Sequence, residues 1–260
     1  MLDERWIRSL HVEAMRRGDL HGGREPHVLF QASTICALVE GAFEGDVTFA
    51  ELAEHGDLGL GTLNQLDGEM IALGGSFYRA DVEGRVSRVP EEQRTPFAVV
   101  VPFEPDITFD LEGSIDGDRV LTEIDRRLPL GAPSCAIRVD GRFEWVRARS
   151  VPRQEPPYRS LTEVVEDQRV FELGDVDGSI VGFRFPEYAE GIEVSGWHLH
   201  FISEDRTRGG HVLEWRVETA HVELDPSGDL HVELPPGVDL ADAWQARCTH
   251  QAIEHVERGG

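Results

Sequence analysis

The sequence predicts a sheet-rich α+β fold that is built from two mixed β-sheet lobes with few helices. Runs of β-branched and aromatic residues, typical of strands, dominate two regions, about residues 69–150 and 170–234. Helix-like patterns are short and scattered, and turns containing glycine or proline separate the runs. Because strands and helices do not alternate regularly, the pattern indicates the α+β class rather than a parallel α/β fold.

The N-terminal part of the chain contains several of the predicted helices. Apolar positions recur loosely over residues 3–17, which predicts an amphipathic helix, with a frayed arm as the alternative. Short helices are predicted over residues 34–38 and 50–54. Thr48 precedes the second of these as a cap, and Glu51 stands three residues later, which is the capping-box spacing.

Strand signals dominate the chain after an Asp67-Gly68 turn. The predicted strands in this part cover residues 69–73, 97–102, 106–111, 135–139 and 143–146, with one helix over 121–128. Four or five further strands are predicted between residues 170 and 234, preceded by a short helix over 161–166 and followed by a tail helix over 240–256.

A proline-rich crossing at residues 151–157 is the best candidate for a boundary between lobes. We therefore expect an N-terminal arm or helix over residues 1–27, a β-rich lobe over 28–155 and a second β-rich lobe over 156–260. The second lobe carries the candidate metal ligands, and the parts together form one catalytic unit.

Charge and composition exclude several classes of function. The 260 residues carry a formal charge of −24, which argues against binding to nucleic acid or to an anionic membrane. The chain contains no lysine. Schiff-base chemistry, pyridoxal phosphate anchored through lysine and a P-loop lysine are therefore excluded.

The cysteines and the N-terminal residues indicate a cytoplasmic protein. Cys36, Cys135 and Cys248 are odd in number and far apart, which argues against a disulfide framework or a thiolate zinc site. The first residues are charged and contain no continuous apolar stretch, so we expect neither a secretory signal nor a membrane anchor.

Three histidines near the end of the strand-rich region predict a metal site. His198 and His200 are two residues apart in a strand-like segment, so their side chains point to the same face. A Gly-Gly turn precedes His211, and a hairpin would bring this residue back beside the other two. Three imidazoles leave an open coordination position on a divalent ion, as in catalytic sites. The alternative is three histidines on the polar face of an exposed hairpin.

Acidic and cationic residues elsewhere are candidates for proton transfer and substrate binding. Glu69 begins a strand directly after a tight turn, where a carboxylate can be fixed and aimed. Arg147 and Arg149 would share one face of a strand, and one of them could bind a substrate carboxylate bidentately. The alternative for each of these residues is a solvated surface charge, and residue type and spacing alone favour that alternative.

A series of motifs resembles the alpha-acetolactate decarboxylase family, in order along residues 28–235. The motifs are Phe30-Gln-Ala-Ser-Thr34, Gly45-Asp-Val-Thr48, His55-Gly-Asp-Leu-Gly-Leu-Gly-Thr-Leu-Asn-Gln-Leu-Asp-Gly-Glu69, Phe103-Glu-Pro-Asp-Ile-Thr-Phe109, Ser150-Val-Pro-Arg-Gln-Glu-Pro-Pro-Tyr158, Gly196-Trp-His-Leu-His-Phe201 and Gly209-Gly-His-Val-Leu213. The chain departs from the family pattern at Leu58, Leu63 and Trp197, which raises the question of pocket shape and substrate tolerance.

The resemblance implies a zinc ion bound by His198, His200 and His211, although imidazole sites accept other divalent ions. It places the active-site arginine at Arg149 and the first glutamate at Glu69. A second, C-terminal glutamate falls on Glu257, with Glu254 as the alternative. The family fold has two sheet-rich lobes with the zinc near their junction, and it assembles as a homodimer.

The implied reaction converts (S)-2-acetolactate to (R)-acetoin and CO2 through a metal-stabilised enediolate, in acetoin and butanediol biosynthesis. The substrate is a small 2-hydroxy-3-keto acid whose ketone and hydroxyl oxygens can chelate one metal ion. Because the metal accepts the electron density, neither thiamine diphosphate nor pyridoxal phosphate is required. Arg149 would orient the carboxylate, and Glu69 and Glu257 would transfer protons.

Two other functions remain open at this stage. A cupin-like metal oxygenase would use His198, His200, Glu204 and a later histidine such as His231, although no Pro-x-Gly turn precedes His231. A non-catalytic metal-binding module would use the histidines for structure alone.

Overall fold

Two large β-sheets dominate the fold in the computed structural model, which describes residues 10–15, 24–129, 132–234 and 248–258. Within these ranges the strands are β1 His11–Met15, β2 Val28–Ala32, β3 Val47–Thr48, β4 Leu58–Thr62, β5 Glu69–Leu73, β6 Ser76–Ala80, β7 Val86–Arg88, β8 Arg94–Thr95, β9 Ala98–Val101, β10 Ile107–Asp116, β11 Ser134–Ser150, β12 Arg169–Phe185, β13 Gly196–Ser203, β14 Gly209–Ser227 and β15 Asp229–Glu233. The helices are α1 Ile35–Val39, α2 Phe49–His55, α3 Gly117–Arg127, α4 Leu161–Val165 and α5 His250–Arg258. The predicted sheet-rich α+β class is confirmed.

The larger sheet has eight strands in the order β1-β15-β2-β9-β4-β5-β6-β7. It is mixed, because β1, β15 and β2 are parallel whereas the other neighbours are antiparallel. Apolar clusters cover both faces, and in β5 Ile71 belongs to one cluster and Met70 to the other. Since strand side chains alternate, Glu69 lies on the Ile71 face.

The smaller sheet has five antiparallel strands in the order β10-β14-β11-β12-β13. Strand β13 also pairs with β14, so that β11, β12, β13 and β14 form a closed ring. Phe143 of β11 and Phe201 of β13 meet edge to face at 5.3 Å between ring centroids. Both belong to an apolar cluster that includes Val120 and Ile124 of α3.

The apolar cluster that contains Ile71 joins the two sheets. Besides Ile71 of the eight-stranded sheet, it contains Ile202 of the five-stranded sheet and residues of α1, α4 and α5. Burial of apolar surface between the sheets therefore fixes their relative position, with the three helices packed against this cluster.

Caps delimit the short helices as the sequence indicates. The Thr48 hydroxyl accepts a hydrogen bond from the Glu51 backbone N–H, and the Glu51 carboxylate accepts one from the Thr48 N–H. This confirms the predicted capping box of α2. The Thr34 hydroxyl likewise accepts a hydrogen bond from the Ala37 N–H and begins α1.

The predicted helix over residues 3–17 is wrong where the structure describes it. His11–Met15 is a strand that pairs in parallel with β15, and the flanking Leu10 is buried. Pairing with residues more than 200 positions away overrides a weak local helical pattern, because tertiary context outweighs propensity. Residues 1–9 lie outside the described ranges.

Two further predictions differ from the structure in extent. The separate strands over residues 135–139 and 143–146 are one continuous strand, β11, which runs through Asp140 and Gly141 with β12 and β14 on either side. The predicted tail helix over residues 240–256 begins at His250 in the structure, so Cys248 and Thr249 precede it, and residues 240–247 of that prediction lie outside the described ranges.

The proline-rich crossing connects β11 to α4. Strands β11 and β12, which flank this crossing and α4, are neighbours in the five-stranded sheet, so this sheet takes strands from both sides of residue 155. The boundary between an N-terminal and a C-terminal lobe stays a prediction. Among the described residues we find no helix with the length and apolar composition needed to cross a bilayer.

We expect Gly182→Ala to disturb the strand that carries His198. A Cβ atom at Gly182 of β12 would lie 2.2 Å from the His198 backbone oxygen, which is too close for any side chain. The variant should lose about 2 kcal/mol of unfolding free energy in urea titration, as overpacked cores do.

Gly174→Ala is the matched control in the same strand. The nearest atom to its Cβ would be the Glu144 oxygen at 3.8 Å, an ordinary contact. We expect a change within about 0.5 kcal/mol. Equal stability of the two variants would contradict the close approach of β12 to β13.

A candidate metal and proton-transfer site between the sheets

Three histidine side chains converge where β13 meets β14. His198 and His200 point to one face of β13, and His200 pairs directly with His211 of β14. A nitrogen atom of each residue lies within 4.8 Å of a nitrogen of each of the others, and all three residues are buried. It is the one such group of histidine, cysteine or carboxylate side chains among the described residues. The hairpin predicted from the sequence therefore brings the three residues together.

The orientation of His200 leaves one ring nitrogen directed into the site. Its Nδ1 lies 2.8 Å from the backbone oxygen of Met70 in β5, to which it donates as an N–H. The Nε2 atom, which then carries the lone pair, is buried and has no hydrogen-bond partner. A bound cation would satisfy this atom, and the carbonyl partner is the second interaction that metal-ligating histidines usually make.

Burial keeps the three imidazoles neutral. Desolvation lowers the pKa of His200 to about 3 and, together with the nearby charge of Arg149, lowers the pKa values of His198 and His211 well below the usual range. Neutral imidazole is the form that binds a metal, so the donor set fits a divalent ion.

Two carboxylates, one from a strand and one from a helix, lie beside the histidines. Glu69, at the start of β5, places Oε2 3.6 Å from His200 Nε2. Glu257, in the last turn of α5, places Oε2 3.7 Å from His211 Nε2 and 3.9 Å from His198 Nε2. Both predicted glutamates therefore lie beside the cluster.

Desolvation raises the pKa of each carboxyl group to about 7. The nearby guanidinium of Arg149 opposes this increase at both sites, and Glu69 adds to it at Glu257. Carboxyl groups with such pKa values can both accept and donate protons near neutral pH, as required for general acid–base catalysis. A bound divalent cation would favour the ionised forms.

Arg149 provides the positive charge of the site. Its side chain is buried, Nη1 lies 3.8 Å from Glu69 Oε1, and Nη2 donates a hydrogen bond to the backbone oxygen of Val256 at 2.6 Å. The buried Nε has no partner. Arg149 also pairs with His211 across β11 and β14, so one row of the sheet carries Arg149, His211 and His200.

Arg147 and Arg149 share one face of β11, as expected from strand alternation. This part of β11 pairs with β12 without a register shift, and the intervening Ala148 belongs to the apolar cluster on the opposite face. Arg147 is exposed and forms an ion pair with Glu214, whereas Arg149 is buried beside the histidines. Of the two arginines, only Arg149 lines the cavity.

The C-terminal helix α5 brings Glu257, rather than Glu254, to the cluster. Ile253 and Val256 are buried in the apolar cluster between the sheets. On the other side of the helix, Glu254 Oε2 lies 3.8 Å from His250 Nε2, and this carboxylate is half exposed. The backbone oxygen of Glu257 also lies 3.0 Å from His211 Nε2.

These side chains line one cavity with an empty volume of about 430 Å³ including its mouth. Apolar side chains complete its wall: Ile35, Leu38, Leu66, Phe97, Val151, Leu161 and Val256. This apolar wall is not recognisable from the sequence, because apolar residues at such spacing are indistinguishable from core residues. Leu58, Leu63 and Trp197, which differ from the family pattern, are not among the lining residues.

The two further ligands that a cupin-like oxygenase would need lie away from the histidine cluster. Glu204 is exposed in the turn that follows β13. His231 of β15 lies 4.0 Å from Glu13, and neither Glu204 nor His231 belongs to the metal-binding group. The geometry therefore favours His211 as the third histidine.

Comparisons of the sequence and of the fold with known proteins point to the same family. A sequence model described as "Alpha-acetolactate decarboxylase" matches residues 29–243. The alpha-acetolactate decarboxylase of Methylococcus capsulatus is 43% identical over 257 residues, covering 96% of this chain and 99% of that protein. That of Bacillus subtilis is 39% identical over 236 residues, covering 91% of this chain and 92% of that protein. The crystal structure of alpha-acetolactate decarboxylase from Bacillus subtilis strain 168 superimposes with a TM-score of 0.82 at 37% identity, covering 89% of this chain and 99% of that one.

We expect His200→Ala to weaken the binding of a divalent ion such as zinc by at least about 100-fold, since it would remove one of the three candidate ligands and not only an outer hydrogen-bond partner. Competition with a chromophoric zinc chelator measures the affinity. His221→Ala is the control, because His221 is exposed and contacts Asp110 instead. Undiminished zinc affinity in His200→Ala would exclude this residue as a ligand.

Proposed function

This chain belongs to the alpha-acetolactate decarboxylase family, and we propose that it converts (S)-2-acetolactate to (R)-acetoin and CO2 at the site between the sheets. It is an enzyme of the carboxy-lyase class. The observation that carries the proposal is the convergence of three buried histidines, two carboxyl groups and one arginine on a single cavity. The implied pathway is acetoin and butanediol formation.

His198, His200 and His211 would hold the metal, for which we propose zinc. Their neutral state, their spacing and the partnerless Nε2 of His200 support this assignment. When bound, zinc would supply a Lewis acid that withdraws electron density from the ketone and hydroxyl oxygens of the substrate. The residues around it determine how the substrate is oriented and where protons move.

Arg149 is proposed to bind the substrate carboxylate. Its guanidinium is fixed at one end by the backbone oxygen of Val256, and its buried Nε remains available as a donor. A guanidinium presents a planar fork that matches a carboxylate. Holding the carboxylate in one orientation aligns the bond that breaks with the ketone that receives the electrons.

Glu69 and Glu257 are proposed to transfer the protons. Loss of CO2 leaves an enediolate that must gain a proton at one face of one carbon to give a single enantiomer. Glu69 extends from β5 and Glu257 from α5, so the two carboxyl groups approach the histidines from different directions. Their pKa values of about 7 suit proton donation and acceptance near neutral pH.

The apolar part of the cavity is proposed to receive the methyl groups of the substrate. Ile35 and Leu38 of α1 and Leu161 of α4 supply much of this wall. Apolar walls lower the local dielectric and exclude water, which strengthens the electrostatic interactions of Arg149 and the glutamates.

The two alternatives have less support from the site. An oxygenase would need Glu204 or His231 at the metal, and both lie outside the histidine group. A purely structural metal site would not need buried carboxyl groups and an arginine beside it, since burying such charges costs stability. Oxygen consumption during turnover would favour the first alternative.

Assembly and location are part of the proposal as well. We propose a homodimer in the cytoplasm, which is supported by the family and by the free state of all three cysteines. The proposal includes no nucleic-acid partner, no pyridoxal phosphate and no thiamine diphosphate.

We expect purified protein to release CO2 and (R)-acetoin from racemic acetolactate. Chelation should abolish turnover and added zinc should restore it, because the metal supplies the Lewis acid. Chiral chromatography measures the product, and bound metal is measured in the same samples. Absence of activity in fully zinc-loaded protein would overturn the proposed function.

We expect Glu69→Gln and Glu257→Gln to lower kcat by at least about 100-fold, in line with the usual contribution of general acid–base groups. Zinc content of Glu69→Gln should remain normal, because the three histidines are intact. Both variants retain the size of the side chain and lose the titrating proton.

Glu254→Gln is the matched control on the same helix as Glu257. Its carboxylate contacts His250 rather than the cluster, so near-normal kcat is expected. Normal kcat in Glu69→Gln, or equal losses in Glu254→Gln and Glu257→Gln, would remove the corresponding glutamate from the proposed mechanism.

A further inference from the structure

The carboxyl group of Glu69 forms no hydrogen bond that fixes its direction within the part of the chain that the structure describes. Its charged and imidazole neighbours are Arg149 Nη1 at 3.8 Å and His200 Nε2 at 3.6 Å, and both distances exceed that of a hydrogen bond. A proton-transfer group must nevertheless lie within hydrogen-bond reach of the atom it serves. The backbone that carries Glu69 therefore has to provide much of this positioning.

The turn that precedes Glu69 has an uncommon backbone conformation. Gln65 and Leu66 have positive φ angles of 66° and 52°, and Gly68 has a φ of 102°. Residues other than glycine adopt this left-handed region rarely, so the surrounding contacts must stabilise it. Leu66 also lines the cavity. The turn thus supplies one residue of the cavity wall and leads directly to Glu69.

Arg79 of the neighbouring strand β6 binds this turn through two hydrogen bonds. Its Nε donates to the backbone oxygen of Asp67 at 2.5 Å, and its Nη2 donates to Asp67 Oδ1 at 2.6 Å. The arginine stem lies against Gly68, where a Cβ atom would be 2.9 Å from Arg79 Cγ. The Thr62 hydroxyl donates a further hydrogen bond to the Gly68 oxygen at 2.8 Å. The two residues before Glu69 are therefore fixed by side chains of β4 and β6.

Arg79 contacts the turn from the face of the sheet opposite to the cavity. It pairs with Met70 across β5 and β6, and directly paired side chains share a face. Met70 follows Glu69 in β5, so the side chains of these two residues point to opposite faces. Arg79 is also absent from the lining of the cavity. It can therefore affect a reaction in the cavity only through the backbone that it binds.

We propose that Arg79 is a positioning residue for the decarboxylation, which fixes the direction of the Glu69 carboxyl group by binding Asp67 in the preceding turn. The inference rests on the proposed function, because that function gives Glu69 its role in proton transfer. A planar guanidinium suits the task, since it binds two acceptors of one residue in a fixed geometry. A displacement of about 1 Å at a catalytic group can lower the rate about 100-fold.

The first test is the kinetics of Arg79→Met, which removes both hydrogen bonds and keeps an unbranched apolar stem beside Gly68. We expect kcat of the zinc-loaded variant to fall roughly 10–100-fold. KM should change by less than about threefold, because Arg149 and the three histidines are intact. Arg79→Lys retains the charge and one donor and should recover part of the loss.

Arg216→Met is the matched control in the other sheet. Arg216 is a strand residue of similar exposure, 39% against 32% for Arg79. Its Nε and Nη2 donate to Asp116 Oδ1 at 2.8 and 2.6 Å, and neither residue lines the cavity. We expect kcat of this variant to stay within about twofold of the wild-type value.

A double-mutant cycle with Glu69→Gln tests whether Arg79 acts through Glu69. Arg79→Met should lower kcat of Glu69→Gln by less than about threefold, because two changes that affect the same group are not additive. A full further loss in that background would overturn the inference. In an active wild type, equal kcat values of Arg79→Met and Arg216→Met would overturn it alone. A zinc-loaded wild type without activity would overturn the proposed function, and the role of Arg79 with it.

Hydrogen exchange measures the stability of the turn without a need for activity. Amides of the segment 64–70 should exchange roughly tenfold faster in Arg79→Met than in the wild type or in Arg216→Met, since the lost hydrogen bonds favour local opening. Mass spectrometry of peptides from the intact, zinc-loaded protein gives the rates. Unchanged exchange of this segment in Arg79→Met would overturn the proposal, whatever the kinetic result.

Discussion

The pairing of His200 with His211 across β13 and β14 is the contact on which the rest of the site depends. It closes the ring of four strands, and the same row continues to Arg149 in β11. Side chains of directly paired residues share a face, so one row of the sheet presents two imidazoles and a guanidinium together. His198 joins them by simple alternation along β13. A slip of one residue in this register would turn the set away from the cavity.

Burying each polar or charged group of the site would, by itself, lower the stability of the fold. Three imidazoles, the Glu69 carboxyl group and Arg149 are buried, with the partly buried Glu257 carboxyl group within a few ångströms, and several of the buried polar atoms have no partner in the protein. Such groups stabilise a fold poorly, and they are retained where chemistry requires them. A cation at the histidines and a carboxylate at Arg149 would satisfy the unpaired atoms, so ligand binding should also stabilise the fold.

The sequence predicted those features that depend on local chemistry. The capping box at Thr48, the strand that begins at Glu69 and the histidine hairpin all follow from short-range patterns. Features that depend on distant contacts could not be read in this way. The strand at His11–Met15 exists because β15 pairs with it, and β11 continues through Asp140 and Gly141 because β12 and β14 pair with it on either side.

Two hydrogen bonds connect α5 to the site. Arg149 and His211 contribute the nitrogen atoms, and the main-chain oxygens of Val256 and Glu257 accept. Every amino acid supplies such an oxygen, so these contacts constrain the helical phase of α5 and leave its side-chain identities largely free. During evolution this tail can accumulate substitutions on its outer face, whereas an insertion or deletion of one residue would rotate the glutamate away from the histidines. Loose alignment of such a tail among homologues is thus compatible with strict positioning of one carboxyl group.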